Sequence, residues 1–393
     1  MRYPLSVDFV VCAFLTGAGL GACSSPAAGA GSVSTLHERP TAPPAEEPTT
    51  EALPFMQLHF IDVGQGAATL LEFSCGAVLI DTGGERQPSD HRGSGCPRAD
   101  HVPPATYDGS AQLLAYLHAF FARRVDLRGR LDALYLTHPH VDHTRGAPAV
   151  MRAFRVGVLV TNGQDGGSGA CEQREAEQLA AASPDTRVVH VPNPGAPLGL
   201  TDEWLDPVAC GDLDPELRVL FGRVDAGVAH PGWSATDLHN ENEHSVVLRV
   251  QLGRFSALFT GDLETQGIQD LLAQSAPEAL DVDLYHVGHH GSHNATTAAL
   301  LAALTPATAV ISMGSPTREA SYSAWHYGHP RAQVVALLAA SLSGRAERRR
   351  VLVATGQHAF ESVEIDAALY ATGWDGDVVI RAEADGRHAR VQP

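Results

Sequence analysis

The feature that most constrains this chain is a group of metal-binding residue types that directly follows a short apolar segment. Residues 131–136 predict a buried strand, and the sequence then reads His-x-His-x-Asp-His after one further residue. Side chains at alternate positions of an extended backbone share a face, so they can converge where the chain leaves a strand. Imidazole nitrogen and carboxylate oxygen together suit Zn²⁺, Mn²⁺ or Fe²⁺. The pattern predicts a metal site with the candidate ligands His138, His140, Asp142 and His143.

Polar clusters also follow two later apolar segments. Residues 254–259 predict a strand that ends at Thr260-Gly261-Asp262, and residues 284–287 predict one that leads into Gly288-His289-His290-Gly291-Ser292. Strand-like and helix-like segments alternate along the chain, which is typical of a mixed α/β fold. Because loops at strand ends converge in such folds, we expect all three clusters to contribute to one site.

The first 53 residues predict an export signal and a tether. Residues 7–20 are mostly apolar and small, and the run is too short for a membrane span. Leu20-Gly21-Ala22-Cys23 resembles the lipobox of bacterial lipoproteins, which implies a lipid anchor on Cys23; a plain secretory signal is the alternative. We expect a signal peptide at residues 1–22, a disordered tether at 23–53 and a folded domain at 54–393. This organisation predicts an exported protein anchored to the cell envelope, at the outer membrane or in the periplasm if the cell has two membranes.

The charge balance limits the partners of the protein. The formal net charge is −18 at pH 7. A surface this acidic repels nucleic acid as a whole, so we expect no stable nucleic-acid complex. A polyanionic substrate would need a local cationic site, and bound metal ions are one way to supply it.

Four cysteines lie in the predicted folded domain. They are Cys75, Cys96, Cys171 and Cys210. An even number of cysteines in an exported protein permits disulfides. Three pairings are possible for four cysteines, and their spacing does not select one.

The His-x-His-x-Asp-His segment matches the HxHxDH signature of the metallo-β-lactamase superfamily. The resemblance implies an αββα sandwich, in which two mixed β-sheets pack face to face with helices outside. It also implies two divalent metal ions, Zn²⁺ or Mn²⁺. In that family His138 and His140 would bind the first metal, and Asp142 and His143 the second. Asp262 would bridge the two metals. His289 or His290 would complete the second site, with His289 favoured because it lies nearer the strand end.

Within the superfamily the chain resembles the hydrolase domain of ComEC-type competence proteins and their stand-alone relatives. The similarity runs from about residue 55 to the end. DVGQG at 62–66, VGHHGS at 287–292 and YGHP at 327–330 are together specific for this branch. The chain departs from the branch at Ala67, where an Asp is usual, and it has no clear third histidine for the first metal. His190, His230 and His244 are candidates, and His244 lies in the expected segment beside Asn242.

The resemblance also implies roles for individual residues. A metal-bridged hydroxide would attack the substrate, with Asp142 and Asp262 as catalytic metal ligands. His329 would donate to the leaving group or hold a phosphate; a structured turn with Pro330 is the alternative. Asp62 and Asp81 would orient ligand histidines without binding metal themselves, unless they serve only as turn residues. Arg145 beside the cluster would contact an anionic group, or else be solvated on a helix face.

The branch favours a small or polymeric phosphodiester as the substrate of a nuclease-like or phosphodiesterase-like enzyme. A carbonyl hydrolase acting on an ester, lactone or β-lactam is one alternative. A weakly active binding lipoprotein is another, although retention of the HxHxDH, TGD and HHGS motifs argues against it. The sequence predicts neither the metal identity nor the oligomeric state.

Overall fold

The structure is a computed structural model that describes residues 54–86, 96, 109–211, 213–225, 227 and 230–393. The predicted signal peptide, the tether and the anchor at Cys23 lie outside these residues. The described residues from Pro54 onward belong to one compact unit. Within these ranges, no helix combines the length and the apolar composition needed to cross a membrane.

The first of two large sheets contains eight strands. Their bounds are β1 Phe55–Phe60, β2 Thr69–Glu72, β3 Ala77–Ile80, β4 Arg130–Tyr135, β5 Arg155–Thr161, β6 Arg187–His190, β15 Val378–Glu383 and β16 His388–Val391. The spatial order is β16-β15-β1-β2-β3-β4-β5-β6. Successive pairs are antiparallel from β16 to β3 and parallel from β3 to β6, so the sheet is mixed.

The second large sheet contains six strands and is also mixed. Their bounds are β7 Glu216–Phe221, β8 Val247–Leu252, β9 Phe255–Phe259, β10 Leu284–His286, β11 Thr308–Ile311 and β14 Leu369–Ala371. In the order β14-β11-β10-β9-β8-β7, pairs are parallel as far as β9 and antiparallel beyond it. β12 Arg345–Gly356 and β13 Ala359–Ala367 form a separate hairpin.

Helices connect these strands. Their bounds are α1 Gly109–Arg123, α2 Val141–Thr144, α3 Ala147–Ala153, α4 Ala170–Ala182, α5 Ala235–Leu238, α6 Thr265–Gln274, α7 Pro277–Leu280, α8 Ala298–Leu304, α9 Ala324–Tyr327, α10 Ala332–Ser341 and α11 Thr372–Asp375. Short 3-10 turns occupy Val125–Leu127, Glu241–His244 and Gly288–Gly291. The last two of these turns carry residues of the candidate site.

Alternation along the strands divides the described core into layers. In β9, Ala257 and Phe259 belong to the apolar cluster between the two sheets, whereas Leu258 packs outward with residues of α6 and α8. In β3, Leu79 likewise packs outward, in a cluster with Leu113 of α1. Successive side chains of a strand point to opposite faces, so each sheet is covered on both sides. The two mixed sheets therefore pack face to face with helices outside, and the predicted αββα sandwich is confirmed.

Two disulfides resolve the choice that the sequence left open. Cys75 pairs with Cys210 at a Cα–Cα distance of 5.4 Å, and Cys96 pairs with Cys171 at 5.3 Å. The first bridge joins residues 135 apart in sequence, and Cys210 belongs to the core between the sheets. The second joins Cys96 to the beginning of α4.

Candidate metal centre

The candidate site lies where loops from both sheets meet. The HxHxDH segment follows β4, Asp262 follows β9, and the histidine pair follows β10. Backbone hydrogen bonds connect these loops and the start of β8: His289 N donates to Gly261 O (3.2 Å), and Val246 N, just before β8, donates to Thr137 O (2.9 Å). The three polar clusters that the sequence predicted to converge therefore lie together.

Four side chains converge closely enough to share one cation. Asp142, His143, Asp262 and His290 each offer one ligand atom, and these atoms lie within 4.8 Å of one another. Asp262 Oδ1 is 3.1 Å from His143 Nε2, and Asp262 Oδ2 is 3.6 Å from His290 Nε2. His290 Nε2 is also 3.5 Å from Asp142 Oδ2. This group corresponds to the predicted second metal site.

The other two histidines of the signature form a pair beside this group. His138 Nε2 lies 3.1 Å from His140 Nδ1, and it lies 4.0 Å from Asp262 Oδ2. The Asp262 carboxylate therefore lies between the pair and the four-residue group. This is the position that a bridging carboxylate would take in a two-metal site.

Hydrogen bonds to the ring nitrogens that face away from the centre fix the tautomers of three candidate ligands. His143 Nδ1 donates to Asp81 Oδ2 (2.7 Å), and His290 Nδ1 donates to Ser312 O (2.7 Å). The Thr137 hydroxyl donates to Asp81 Oδ2 (2.9 Å), so it accepts from His138 Nδ1 (3.1 Å). With the Nδ1 proton held by a neighbour, each imidazole presents its Nε2 lone pair, as metal-binding histidines do.

These atoms have the properties expected of metal ligands. Nε2 of His143 and of His290 are buried, and no described group hydrogen-bonds to them. Burial alone would lower the pKa of His143, but the Asp262 and Asp81 carboxylates raise it well above its ordinary value. Carboxylates that favour a proton on this ring also favour a metal cation, and the two compete for the same nitrogen. The donor set therefore fits divalent metal ions.

The geometry reverses the preference between the two adjacent histidines. The sequence favoured His289, but the four-residue group contains His290. Both residues have left-handed backbone, with φ of 49° and 53°, so their side chains diverge from one tight turn. His289 Nε2 is 3.7 Å from Asp262 Oδ2, while its Nδ1 faces Glu264 and has no hydrogen-bond partner among the described residues. Distance from the strand end was therefore a poor guide.

His244 does not lie in position to bind the first metal. Its Nδ1 accepts from Val224 N (3.0 Å), and its Nε2 lies 3.1 Å from Leu238 O. Both ring nitrogens are thus engaged by the backbone, which corrects the prediction. His190 pairs with Glu177, and His230 contacts Asp225 O, so neither alternative faces the cluster.

The two predicted orienting aspartates have different partners. Asp81 accepts from Thr137 N (2.8 Å), in addition to the Thr137 hydroxyl and His143 contacts. Asp62 instead accepts from Gly64 N (3.1 Å), and burial raises the pKa of its carboxyl group. Asp81 therefore has the contacts of an orienting residue, whereas the contacts of Asp62 are those of a turn residue.

A cavity of about 720 Å³ opens over the cluster. Several residues of its walls had no site role predicted from the sequence, including Gln65, Arg86, Arg174, Asn242 and Tyr327. Asn242 Oδ1 is buried and has no described hydrogen-bond partner, and its amide nitrogen donates to Glu264 Oε1 (2.7 Å). The predicted anion contact Arg145 is not among the described residues that line the cavity; it lies close to Gly84.

Gln65 links the DVGQG segment to the YGHP segment. Its Oε1 accepts from Gly314 N (3.1 Å), and its Nε2 lies 3.0 Å from His329 Nδ1. The His329 ring lies 6.0 Å from the His289 ring and 6.3 Å from the His290 ring, between centroids. Burial, followed by the His289 and His290 charges, holds the pKa of His329 well below its ordinary value. His329 therefore lies in the cavity wall beside the histidine pair, with its Nδ1 against Gln65.

Two mixed sheets packed face to face, with a His/Asp cluster at one edge, are the features of an αββα protein that can bind metal. Comparison with known protein families gives the same class. The chain belongs to the metallo-beta-lactamase superfamily, which matches residues 61–315. Members of this superfamily typically bind divalent metals, in agreement with the donor set described above.

Within the superfamily, the chain is similar to competence proteins. It is 28% identical to ComE operon protein 3 of Bacillus subtilis over 288 residues, covering 72% of this chain and 30% of that protein. It is 26% identical to Recombination protein 2 of Haemophilus influenzae over 276 residues, covering 70% of this chain and 26% of that protein. The predicted resemblance to ComEC-type proteins is confirmed, and the chain spans less than a third of the length of these relatives.

A solved structure gives a more distant comparison. The metallo-beta-lactamase fold protein YhfI from Bacillus subtilis is 14% identical, with a TM-score of 0.30. The match covers 59% of this chain and 70% of that chain.

Proposed function

We propose that this protein is a metal-dependent hydrolase of phosphodiesters. The observation that carries the proposal is the position of the Asp262 carboxylate, which lies between the His138 and His140 pair and the ligand atoms of Asp142, His143 and His290. A carboxylate in this position can bind two cations at once. The DVGQG and YGHP segments, which line the same cavity through Gln65 and His329, support the phosphodiester branch.

The proposed ligands fall into two groups that share Asp262. Asp142, His143 and His290 would hold the second metal with it, and His138 and His140 would hold the first. For the first metal we add Asn242 as an oxygen ligand, because its carbonyl oxygen is buried, unpartnered among the described residues and part of the cavity wall. The turn that carries Asn242 lies against this pair, with Glu241 Oε2 3.6 Å from His140 Nε2. Carboxamide oxygen suits Mn²⁺ as well as Zn²⁺.

The chain's own residues prepare the site for an anionic substrate. Asp81, Thr137 and Ser312 hold the ligand imidazoles in one tautomer, so little reorganisation is needed when the site is filled. When bound, two divalent cations supply positive charge that stabilises developing oxyanions and acidifies water. Arg86 and Arg174 line the cavity and place further positive charge near the substrate.

The proposed substrate is a phosphodiester that reaches the site without a broad basic surface. A net charge of −18 disfavours extended nucleic acid, so binding would depend on the cavity and its cations. Together with the proposed export signal and the lipid anchor at Cys23, this favours a phosphorylated component of the cell envelope. A short single-stranded nucleic acid is a second form of the same chemistry.

A direct test uses the purified full-length chain. Bound metal is measured first, and bis-p-nitrophenyl phosphate, single-stranded DNA and a chromogenic β-lactam are then offered with and without Mn²⁺ or Zn²⁺. We expect metal-dependent hydrolysis of the phosphodiesters that is lost in Asp142→Ala and Asp262→Ala. The exposed Asp185→Ala variant is the matched control. Bound metal below about one ion per chain, or activity unchanged in both site variants, contradicts the proposal.

A further inference from the structure

The histidine in the YGHP segment has the opposite tautomer from the metal-site histidines. The Gly314 amide N–H can only donate, so the Gln65 side-chain atom that it contacts is the carbonyl oxygen. The Gln65 atom facing His329 is therefore the amide nitrogen, which can only donate. It follows that His329 Nδ1 accepts and carries no proton, so the ring carries its proton on Nε2. The backbone N–H of Gly314 therefore fixes the orientation of the Gln65 carboxamide.

The remaining ring nitrogen of His329 belongs to the cavity. His329 lines the cavity next to His289 and His290, and none of the described residues hydrogen-bonds to its Nε2. His138, His143 and His290 present an Nε2 lone pair, which is what a cation needs. His329 presents an Nε2–H group, which can donate a hydrogen bond to an electron-rich oxygen.

Gln65 is itself held firmly. It is 1% exposed, and its backbone N–H donates to Glu85 Oε1 (3.2 Å). Glu85 is also buried and pairs with Arg318. The carboxamide of Gln65 is thus held at its oxygen by Gly314 and at its nitrogen by His329 before any substrate enters. A donor fixed in advance costs little reorganisation when charge develops on the substrate.

We propose that Gln65 is a positioning residue that holds His329 in the Nε2–H tautomer, so that His329 donates a hydrogen bond to a phosphoryl oxygen of the substrate. The inference rests on the proposed function and deepens it. In this role His329 stabilises negative charge and keeps its proton throughout the reaction. It acts neither as a base nor as a metal ligand.

The tautomer is measured first on the wild-type full chain loaded with diamagnetic Zn²⁺. With ¹⁵N-labelled histidine, the nitrogen chemical shifts separate protonated from unprotonated ring nitrogens, and His329→Gln identifies the resonances of His329. We expect Nε2 to carry the proton and Nδ1 to be bare. A proton on Nδ1 overturns the inference, whether or not the wild type hydrolyses phosphodiesters. Since no substrate is present, this reading is separate from the proposed function, which fails if the wild type does not hydrolyse bis-p-nitrophenyl phosphate.

Variants of Gln65 test the link to His329. In Gln65→Glu a carboxylate oxygen can only accept, so the proton should move to Nδ1 and kcat on bis-p-nitrophenyl phosphate should fall about 10²-fold, with metal content unchanged. Gln65→Met removes the donor without adding charge beside Glu85, and it should lower kcat in the same direction. The exposed Gln392→Met is the control.

A double-mutant cycle separates positioning from a general structural role. If Gln65 acts through His329, then His329→Gln lowers kcat by a similar factor, and Gln65→Met adds little further loss in its presence. Losses that multiply in the double variant overturn the inference.

Discussion

Asp81 Oδ2 lies 2.7 Å from His143 Nδ1, and the opposite nitrogen of the same ring lies 3.1 Å from Asp262 Oδ1. One imidazole thus connects a carboxylate that lies behind the site to a carboxylate within it. Asp81 itself has left-handed backbone, with φ of 58°, which is uncommon for a residue other than glycine. This backbone conformation is held by tertiary contacts of the kind found at functional sites.

The contacts of Asp81 lead to a prediction about metal affinity. Asp81→Asn should weaken metal binding by about 10- to 100-fold, because the ring of His143 loses its charged partner. Competition with a chromophoric chelator measures this affinity. Asp62→Asn is the matched control, since Asp62 contacts a backbone amide and not a ligand histidine. Equal effects of the two substitutions would contradict the assigned roles.

The two adjacent histidines should differ in their effect on metal content. His290→Gln removes a member of the four-residue group, so the chain should retain about one metal ion fewer than the wild type. His289→Gln should retain the wild-type metal content. Elemental analysis after dialysis distinguishes the two variants. Metal loss confined to His289→Gln would restore the assignment favoured by the sequence.

Asn242 predicts a third effect, confined to the first metal, which His138 and His140 would hold. Asn242→Ala should lower its affinity about tenfold, because an oxygen ligand is removed. Asn242→His should bind Zn²⁺ more tightly than the wild type, since imidazole is a better ligand for Zn²⁺ than a carboxamide. Calorimetric titration with Zn²⁺ and Mn²⁺ follows both changes. Asn240→Ala is the control, because Asn240 also donates to Glu264 but does not line the cavity.

The disulfides should contribute unequally to stability. Replacing Cys75 and Cys210 together by Ala should lower the free energy of unfolding by about 5 kcal/mol, because the bridge closes a long loop. Replacing Cys96 and Cys171 should lower the free energy of unfolding by about 0.5 kcal/mol less than the first pair, because the loop that this bridge closes is shorter. Urea unfolding followed by circular dichroism compares the pairs. A larger loss for the second pair would mean that loop length does not decide the order.

Much of the fold was predictable because short apolar segments indicate strands that are buried on both faces. β4, β9 and β10 were all expected near their observed positions, and each precedes a polar cluster. The β12–β13 hairpin was not predicted. β12 begins with a run of charged residues in which Arg348 and Arg350 are exposed, so the start of the strand carries no clear burial pattern. Its strand character comes from pairing with β13 across the turn at residues 357–358, and the residue pattern of β12 alone does not show that pairing.

The sequence by itself determined the candidate metal-binding segment, because His138, His140, Asp142 and His143 are close along the chain and their spacing after a strand limits where they can point. It also identified Asp262 and the adjacent histidine pair through the strands before them. Only the tertiary structure decided between His289 and His290 and separated the roles of Asp81 and Asp62. It also set aside His244 and brought Gln65 against His329. These outcomes depend on hydrogen bonds between residues far apart in sequence, such as Gln65 and Gly314, and residue spacing carries no information about them.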